Sequence, residues 1–330
     1  MTTLVTGATG FVGSAVARVL LARGHKLRLL VRANSDRRNI AGLEAEVVVG
    51  DLTDPDSLDR AAAGCRYVVH VAADYRIWVP DPNEMLRANV EGAVAMVRAA
   101  ARAGAERIVH CSSVAALGQI GDGTPADEDT PTHEADFVGI YKRSKYLAER
   151  AVFDLAAREG LPVVVVNPAA PVGPRDIKPT PTGKMIRDAA AGRMPAYIDT
   201  GLNVVHVDDV AEGHALALER GRVGERYVLG GDNMLLKDIL TMVATVAGKR
   251  PPMIRLPEGV VWPIAWLMEK TAPVTGIPPM MTTDHLKMAR KKMFYSSAKA
   301  MRELGYQPRP ARQAVDDAVA WFRANGMLRG

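Results

Sequence analysis

Cysteine is scarce in this sequence: among 330 residues only Cys65 and Cys111 occur, and they form no Cys-x-x-Cys motif. Neither a disulfide framework nor a zinc knuckle is therefore predicted. The sequence also lacks, at its start, a basic segment followed by an apolar stretch, so no signal peptide is predicted. We expect a reducing compartment, the cytoplasm.

A strong charge of one sign is also lacking, because 42 Lys and Arg stand against 37 Asp and Glu, for a net charge of +5. Two local basic clusters carry no interleaved aromatic side chains: Arg32, Arg37 and Arg38, and Lys287, Arg290, Lys291 and Lys292. A solvated face or an anion pocket explains them better than nucleic-acid binding does. The histidines show no metal-ligand spacing, and Asp208–Asp209 is more simply a helix cap, so no metal is predicted.

The first half of the chain alternates short β-branched runs with longer amphipathic segments. Continuous apolar runs, such as VVHV and VVVV, indicate strands covered on both faces. The pattern predicts an α/β fold, a Rossmann doubly wound parallel sheet with helices on both faces. The predicted strands are Thr3–Thr6, Leu27–Val31, Glu46–Val49, Tyr67–Val71, Arg107–Cys111 and Pro162–Val166, and the predicted helices are Val12–Arg23, Ser57–Ala63, Asn83–Ala103 and Val138–Glu159.

The pattern changes after Asn167, where prolines crowd together, and from Met234 onward it is mostly helical. We expect residues 1–167 to form the Rossmann domain, to which a segment of about 203–230 returns. In that segment NVVHVDD is strand-like, and RYVLGG is expected to rejoin the sheet. Residues 168–202 and 231–330 are expected to form a smaller, mostly helical C-terminal lobe that binds substrate.

Gly7, Gly10 and Gly13 stand three residues apart between the first predicted strand and the first predicted helix. In that context Gly7 permits a tight turn, Gly10 lets backbone amides approach a pyrophosphate, and Gly13 allows the helix to pack closely on the strand. The pyrophosphate would lie at the helix N-terminus, where free N–H groups and the helix dipole favour an anion. The stretch therefore predicts a dinucleotide site.

The end of the second strand distinguishes the two nicotinamide dinucleotides. NAD sites place an acid there to bind the ribose 2′-OH, whereas this sequence has Arg32, with Arg37 close behind. An arginine can pair with a 2′-phosphate, so NADPH is predicted to be preferred, with NAD left open and a solvated basic loop as the alternative. Asp51, after the third strand, is placed to meet the adenine edge. Its alternative role is a helix cap, which Asp54 could also provide.

Two later stretches add chemistry to the dinucleotide site. Ser113 follows the fifth strand at its carboxyl end, where ligands of such sheets bind. Tyr141 and Lys145 are four residues apart on a predicted helix and share one face. A phenol titrates near ~10, and an adjacent ammonium, helped by an oxidised nicotinamide, would lower that pKa and make Tyr141 a usable acid or base. Ser113 would hold the substrate oxygen within reach of a hydride.

With these motifs the sequence resembles the extended short-chain dehydrogenase/reductases over nearly its whole length. The shared stretches are TGATGFVG, GDLTD, HVAA, NVEG, HCSSVAALG, YKRSK, NPAAPVGP and HVDDVA. It is most similar to the dihydroflavonol-4-reductase-like branch, specifically the bacterial group of hopanoid-associated sugar epimerases. The resemblance implies a catalytic triad of Ser113, Tyr141 and Lys145, with Lys145 also holding the nicotinamide ribose. It also implies a homodimer that pairs through two helices.

The resemblance implies further contacts. Cofactor contacts are expected from Thr9, Phe11, Val12, Leu52, Ala72, Ala73, Asn89, Asn167, Pro168 and Ala169, and substrate contacts from Ser113 and Asn167. Sugar dehydratases of the family carry an Asp-Glu pair directly after the active-site Thr, where this chain has Val114–Ala115, so dehydration is not favoured. Epimerases of the family commonly carry an acid after the second strand, and Arg32 departs from that pattern.

Three functions stay open at this stage. The leading hypothesis is an NADPH-dependent carbonyl reductase in which Tyr141 donates the proton. The second is an NAD(P)-dependent sugar epimerase, which oxidises an alcohol and reduces the ketone from the other face. The third is a non-catalytic dinucleotide-binding regulator, which the intact Ser113, Tyr141 and Lys145 disfavour.

The clues to the substrate, a small carbonyl or sugar-type molecule, free or lipid-linked, lie in two apolar stretches. Tyr75 and Trp78 follow the fourth strand and form either a platform for a ring or ordinary packing. Glu258–Lys270 is apolar but too short to span a bilayer. It is a core helix, a lid, or a surface helix that touches a membrane with help from Lys287–Lys292, which would place the protein at the membrane periphery.

Overall fold

A central sheet of seven parallel strands organises the protein, and the computed structural model describes residues 1–76, 79, 81–120, 122–134, 137, 139–275, 283–289 and 291–328. Numbered in chain order, the strands are β1 (Thr2–Thr6), β2 (Lys26–Val31), β3 (Ala45–Val49), β4 (Tyr67–His70), β5 (Arg107–Cys111), β6 (Val163–Pro168) and β10 (Arg226–Leu229). Their order is β3-β2-β1-β4-β5-β6-β10, and every pair is parallel. This is the Rossmann order, so the predicted fold class is confirmed.

Both faces of the sheet are covered by helices. One face packs against α1 (Phe11–Ala22), α7 (Val207–Arg220) and α11 (Ala298–Leu304), and the other against α2 (Pro55–Ala62), α4 (Gly92–Arg102) and α5 (Ile140–Glu159). Strand β6 shows how the apolar run VVVV serves both cores. Val164 and Val166 lie in the first core and Val163 and Val165 in the second, and all four are fully buried.

The helix predicted over Asn83–Ala103 is a continuous helical run that begins with α3 (Pro82–Leu86) and ends with α4. Between them the residues Arg87–Glu91 form a π-helical turn. Such turns are rare and often lie at functional sites. This one contains Asn89, whose side chain is buried beneath the active site.

A smaller lobe is built on a second sheet with the strand order β11-β9-β7. Its strands are β7 (Ala170–Val172), β9 (Gly201–His206) and β11 (Asp232–Leu235). They pack with α6 (Pro181–Ala190), α8 (Leu236–Ala247) and α12 (Ala311–Ala324) around a separate core. The two-residue strands β8 (Ala196–Tyr197) and β12 (Ile254–Arg255) pair with each other.

The segment expected to return to the main sheet divides between the two parts of the molecule. RYVLGG rejoins the main sheet as predicted, because β10 pairs with β6. The strand in NVVHVDD does not, because β9 pairs with β7 and β11. Asn203 at its centre donates to the Gly231 carbonyl at 3.1 Å and accepts from the Gly231 N–H at 2.7 Å, which fixes β9 in the smaller sheet.

Helices α9 (Glu258–Thr275) and α10 (Thr283–Ala289) complete the lobe. They pack together through Val261, Ala265 and Leu286. Gly139, which directly precedes α5, lies beside Asp284 of α10, with its Cβ position 3.5 Å from the carboxylate. The α9–α10 pair therefore lies next to the start of α5. Within the described ranges, the structure contains no helix whose length and apolar character would let it cross a bilayer.

Candidate active site

The glycine turn is shaped by close backbone contacts that leave no room for side chains. Gly7 has φ +72°, and a Cβ there would lie 2.7 Å from the Ala72 nitrogen in the loop after β4. A Cβ on Gly13 would lie 2.2 Å from the Gly7 carbonyl oxygen. Gly10 caps α1 without a side-chain hydrogen bond, and the first turn of α1 has no acidic residue. The N–H groups at this end are therefore available to an anion.

Two residues that the sequence did not reveal hold this turn in place. Asn39, buried in the loop after β2, donates its Nδ2 to the carbonyls of Thr9 and Gly10 at 3.2 and 3.4 Å. Thr6 Oγ1, at the end of β1, accepts from the N–H groups of Val71 and Ala72 at 3.1 Å each. No local motif marks either residue, because the partners lie 29 to 66 positions away in the chain.

A cleft of about 680 Å³ opens at the carboxyl ends of β2 and β3. Its lining includes Arg32, Asn34, Asp51, Asp54 and Arg60. Arg32 is exposed, and in the described part of the chain its guanidinium forms no ion pair and donates no hydrogen bond. The nearby Arg38, in contrast, is bound to Asp36 at 2.6 Å. Arg37 is exposed, like Arg32.

Asp54 provides the helix cap, and the contact of Asp51 with the adenine stays a prediction. Asp54 caps α2 by accepting from the Ser57 N–H at 3.3 Å. Asp51 instead accepts from the Thr53 N–H and hydroxyl at 2.9 and 2.7 Å, and lines the cleft beside Arg32. Burial acts to raise the pKa of Asp51, but the Thr53 hydrogen bonds and the charge of Arg32 outweigh it and hold that pKa below its ordinary value.

One face of α5 carries Tyr141, Lys145 and Glu149 at intervals of four residues, towards the ends of β5 and β6. The side chains of Tyr141 and Ser113 lie close enough for Ser113 to influence the pKa of the phenol. Lys145 is 4% exposed and its Nζ donates to the Cys111 carbonyl at 3.0 Å. The fold thus brings the three predicted catalytic residues together, while their catalytic role stays a prediction.

Burial is the largest cause of the pKa shifts of Tyr141 and Lys145. Burial raises the pKa of Tyr141 above 10, against a smaller lowering by the Ser113 hydrogen bond. Burial also lowers the pKa of Lys145 below 10.5, opposed by Cys111 and Glu149. The lowered pKa that we expect for Tyr141 beside Lys145 and an oxidised nicotinamide stays a prediction. At neutral pH the Tyr141 phenol keeps its proton.

Asn167 and Glu149 form a buried network behind the catalytic residues. Asn167 Nδ2 donates to the Ser113 carbonyl at 3.0 Å and to Glu149 at 2.6 Å. The other Glu149 oxygen accepts from Arg226 at 2.9 Å. Asn167 Oδ1 is buried and has no partner in the described part of the protein. Sequence reasoning missed Glu149, although its spacing of four residues from Lys145 was the available signal.

Several other predicted cofactor residues line or support the same edge. Asn89 exchanges hydrogen bonds with the Asp74 backbone at 2.7 and 2.8 Å and donates to Ser144 at 2.9 Å, so it fixes the loop after β4 against α5. Leu52 lies against Gly92, where an added Cβ would be 2.9 Å away. Phe11 and Ala169 are buried, and Pro168 ends β6. Four further residues are partly buried: Thr9, Val12, Ala72 and Ala73.

The predicted substrate residue Tyr75 lies near the smaller lobe. Tyr75 is 45% exposed. Partial burial and the nearby carboxylates of Asp176 and Asp74 raise the pKa of Tyr75. Tyr75 therefore lies near Asp176, which belongs to the smaller lobe. Burial raises the pKa of Asp176 to about 6, against hydrogen bonds from Thr180. Trp78, the other predicted platform residue, lies outside the described residues. No cluster of three or more His, Cys, Asp or Glu among the described residues is arranged to hold a metal.

Comparison with known proteins identifies the family. A profile of the NAD dependent epimerase/dehydratase family matches residues 3–230. The chain belongs to this family. It is therefore an NAD(P)-dependent enzyme, and the sequence resemblance to extended short-chain dehydrogenase/reductases is confirmed.

Relatives of this epimerase/dehydratase-family enzyme match along almost the full chain. A Synechocystis sp. protein named as a dihydroflavonol 4-reductase is 43% identical over 329 residues, covering 98% of this chain and 95% of the relative. Sterol demethylase protein B of Methylococcus capsulatus is 36% identical over 331 residues, covering 99% and 100%. The crystal structure of gox2253 is similar with a TM-score of 0.90 at 60% identity, covering 99% of both chains.

Proposed function

We propose that the protein is an NADPH-dependent carbonyl reductase that reduces a ketone or an aldehyde. The observation that carries the proposal is the cleft at the ends of β2 and β3. There Arg32 stands where NAD-binding sites place an acid, exposed and free of an ion pair among the described residues. A guanidinium in that position is suited to a 2′-phosphate.

The residues present are compatible with a dinucleotide that spans the sheet edge. Gly7 and Gly13 let the backbone of the turn pack closely, and the N-terminus of α1 has no side-chain cap. The buried, unpartnered Asn167 Oδ1 lies near the other end, beside Ser113. When bound, NADPH would supply the hydride.

The side chains of α5 and β5 would then orient the substrate and move the proton. Ser113 would hydrogen-bond the substrate oxygen. Tyr141, whose raised pKa keeps its phenol protonated, would donate to that oxygen as its negative charge develops. Lys145, anchored on the Cys111 carbonyl, would place its charge beside the phenol and the ribose of the cofactor.

For the substrate we propose a small apolar carbonyl compound. The support is the exposed Tyr75 at the mouth of the site and the relative from Methylococcus capsulatus that is named for a sterol. A lipid-linked substrate is compatible with the same opening.

The experiment is a screen of cyclic and aromatic ketones and aldehydes in which the consumption of NADPH is followed. Tyr141→Phe should reduce kcat by ~10²–10⁴-fold, the usual contribution of a positioned acid. Tyr146→Phe is the matched control, because it removes a hydroxyl of the same helix whose one hydrogen bond among the described residues is with Arg150, at 3.2 Å. Equal activity of the wild type and Tyr141→Phe on every reduced substrate would contradict the proposed role of Tyr141.

A sugar epimerase is the second candidate, and one observation favours it. Lys142, next to Tyr141, and Lys291 are close enough to interact at the mouth of the site. Burial, with the charge of Lys291, lowers the pKa of Lys142 to about 8. Two cations there would suit a phosphate-bearing sugar. Interconversion of a nucleotide sugar with its epimer, without net consumption of NADPH, would establish this candidate over the first.

We also propose that the protein is a homodimer, which rests on the family resemblance. Light scattering coupled to gel filtration measures the mass in solution and tests this directly. A single monomeric mass at assay concentrations would contradict it.

A further inference from the structure

Helix α9 exposes the kind of face that a water-soluble helix normally buries. Trp262, Trp266 and Leu267 are 42%, 47% and 58% exposed. Pro263 and Lys270 are also exposed on the same side. The opposite side, with Val261, Ala265 and Ala272, is buried against the lobe. At 3.6 residues per turn the exposed positions form one stripe, which is apolar apart from Lys270.

Exposed basic residues lie on the stripe and in the chain on both sides of the α9–α10 pair. Lys249, Arg250, Lys270 and Lys291 are exposed, and none forms an ion pair with a described residue. Lys249 and Arg250 precede α9 in the chain, and Lys291 follows α10, which packs on α9. An apolar stripe that carries tryptophans, together with exposed cations, is the composition of a helix that lies in the interface of an anionic membrane.

We propose that the exposed stripe of α9 is a docking surface for an anionic lipid bilayer. A protein partner fits less well, because lysine is depleted in protein interfaces whereas it is favourable beside anionic lipid headgroups. The helix does not cross the bilayer but lies on it, with Trp262 and Trp266 at the depth of the headgroups.

The inference goes beyond the proposed reductase activity and can fail while that activity stands. Its test is sedimentation of the full chain with vesicles of phosphatidylcholine alone and of phosphatidylcholine mixed with phosphatidylglycerol. The wild type should sediment with the anionic vesicles, less with neutral ones, and less in high salt. The double variant Trp262→Gln, Trp266→Gln should lose at least about tenfold in vesicle affinity, since each tryptophan buries a large apolar area.

Met301→Gln is the control, because Met301 is 51% exposed on α11, away from α9. It should bind vesicles like the wild type. Equal sedimentation of the wild type and the double variant, or none with either, would overturn the proposal. A wild-type dimer that becomes monomeric in the double variant would also overturn it and assign the stripe to a second copy of the chain. NADPH binding by the double variant, measured alongside, separates this result from the reductase proposal.

Discussion

Helix α5 buries charged side chains, whereas helix α9 exposes apolar ones. Lys145 and Glu149 are 4% and 3% exposed, while Trp262 and Trp266 are 42% and 47% exposed. Both arrangements are costly unless something compensates for them. For α5 the compensation lies inside the protein, in the Cys111 carbonyl, Asn167 and Arg226. For α9 no described residue supplies it, and we propose that it comes from outside. The two helices thus mark the chemical site and the contact surface.

The largest expected effect follows from the removal of the buried ammonium. Lys145→Met should lower kcat for carbonyl reduction by ~10²–10⁴-fold, because the charge beside Tyr141 is lost. Initial-rate assays with the best ketone from the screen measure kcat. Lys184→Met, a partly exposed lysine on a helix of the lobe, should leave kcat unchanged. A Lys145→Met enzyme with wild-type kcat would mean that the buried charge is structural.

Glu149→Gln should have the next largest effect. It removes one partner of the ion pair with Arg226, and we expect a loss of about 3 kcal/mol in the free energy of unfolding, the low end for a buried pair because Arg226 is partly exposed. Glu159→Gln, on the exposed end of α5, should change it by less than about 0.5 kcal/mol. Urea unfolding measures both.

The same variant has a functional readout that a purely structural role would not give. Glu149 raises the pKa of Lys145, so its removal should lower that pKa further. Lys145 is active while protonated, and activity is lost as the pH rises through its pKa. The alkaline limb of the pH–kcat profile should therefore move to lower pH in Glu149→Gln. An unchanged limb would contradict the coupling.

Three buried histidines predict how stability depends on pH. His70 and His110 pack at 5.4 Å between ring centroids, with His214 nearby. Burial lowers the pKa of His70 to about 3 and of His214 to about 4, and lowers that of His110 well below 6.5. A lowered histidine pKa contributes stability above pH 6.5 that is lost as the pH falls, since the unfolded chain then binds the proton.

His110→Gln should therefore reduce the slope of unfolding free energy below pH 6.5 by about 1.4 kcal/mol per pH unit, the equivalent of one proton. Urea unfolding at several pH values gives the slope. If His110→Gln has the wild-type slope, His110 takes up its proton in the folded state too.

The smallest expected effect is the change in the free energy of unfolding when the tryptophans of α9 are replaced in the absence of lipid. The free energy of unfolding of the Trp262→Gln, Trp266→Gln variant should lie within about 1 kcal/mol of the wild-type value, because substitutions of exposed residues change stability little. Thermal unfolding measures it. A large loss of stability would mean that the tryptophans are packed inside the protein, which would weaken the contrast with α5.

The sequence was sufficient for features that are local in the chain. The apolar runs marked the strands, and the glycines marked the turn at Gly7, because both depend on neighbours a few residues away. It was insufficient for Asn39, for Thr6 and for the network of Asn167, Glu149 and Arg226, whose partners come together only when the sheet forms. The lowered pKa expected for Tyr141 beside Lys145 and an oxidised nicotinamide stays a prediction, and the opposing effect of burial on that pKa could not be predicted from the spacing.

The central claim, a reductase that exchanges NADPH in each turnover, is tested most directly by the cofactor that the purified protein retains. The protein is denatured, the released nucleotide is identified by mass spectrometry, and the emptied protein is titrated with NADPH and NADH. We predict no stoichiometric nucleotide, and a rise in Tm that is larger with NADPH and that loses this preference in Arg32→Ser. Stoichiometric NAD, with no response of Tm to NADPH, would contradict the reductase and favour the epimerase.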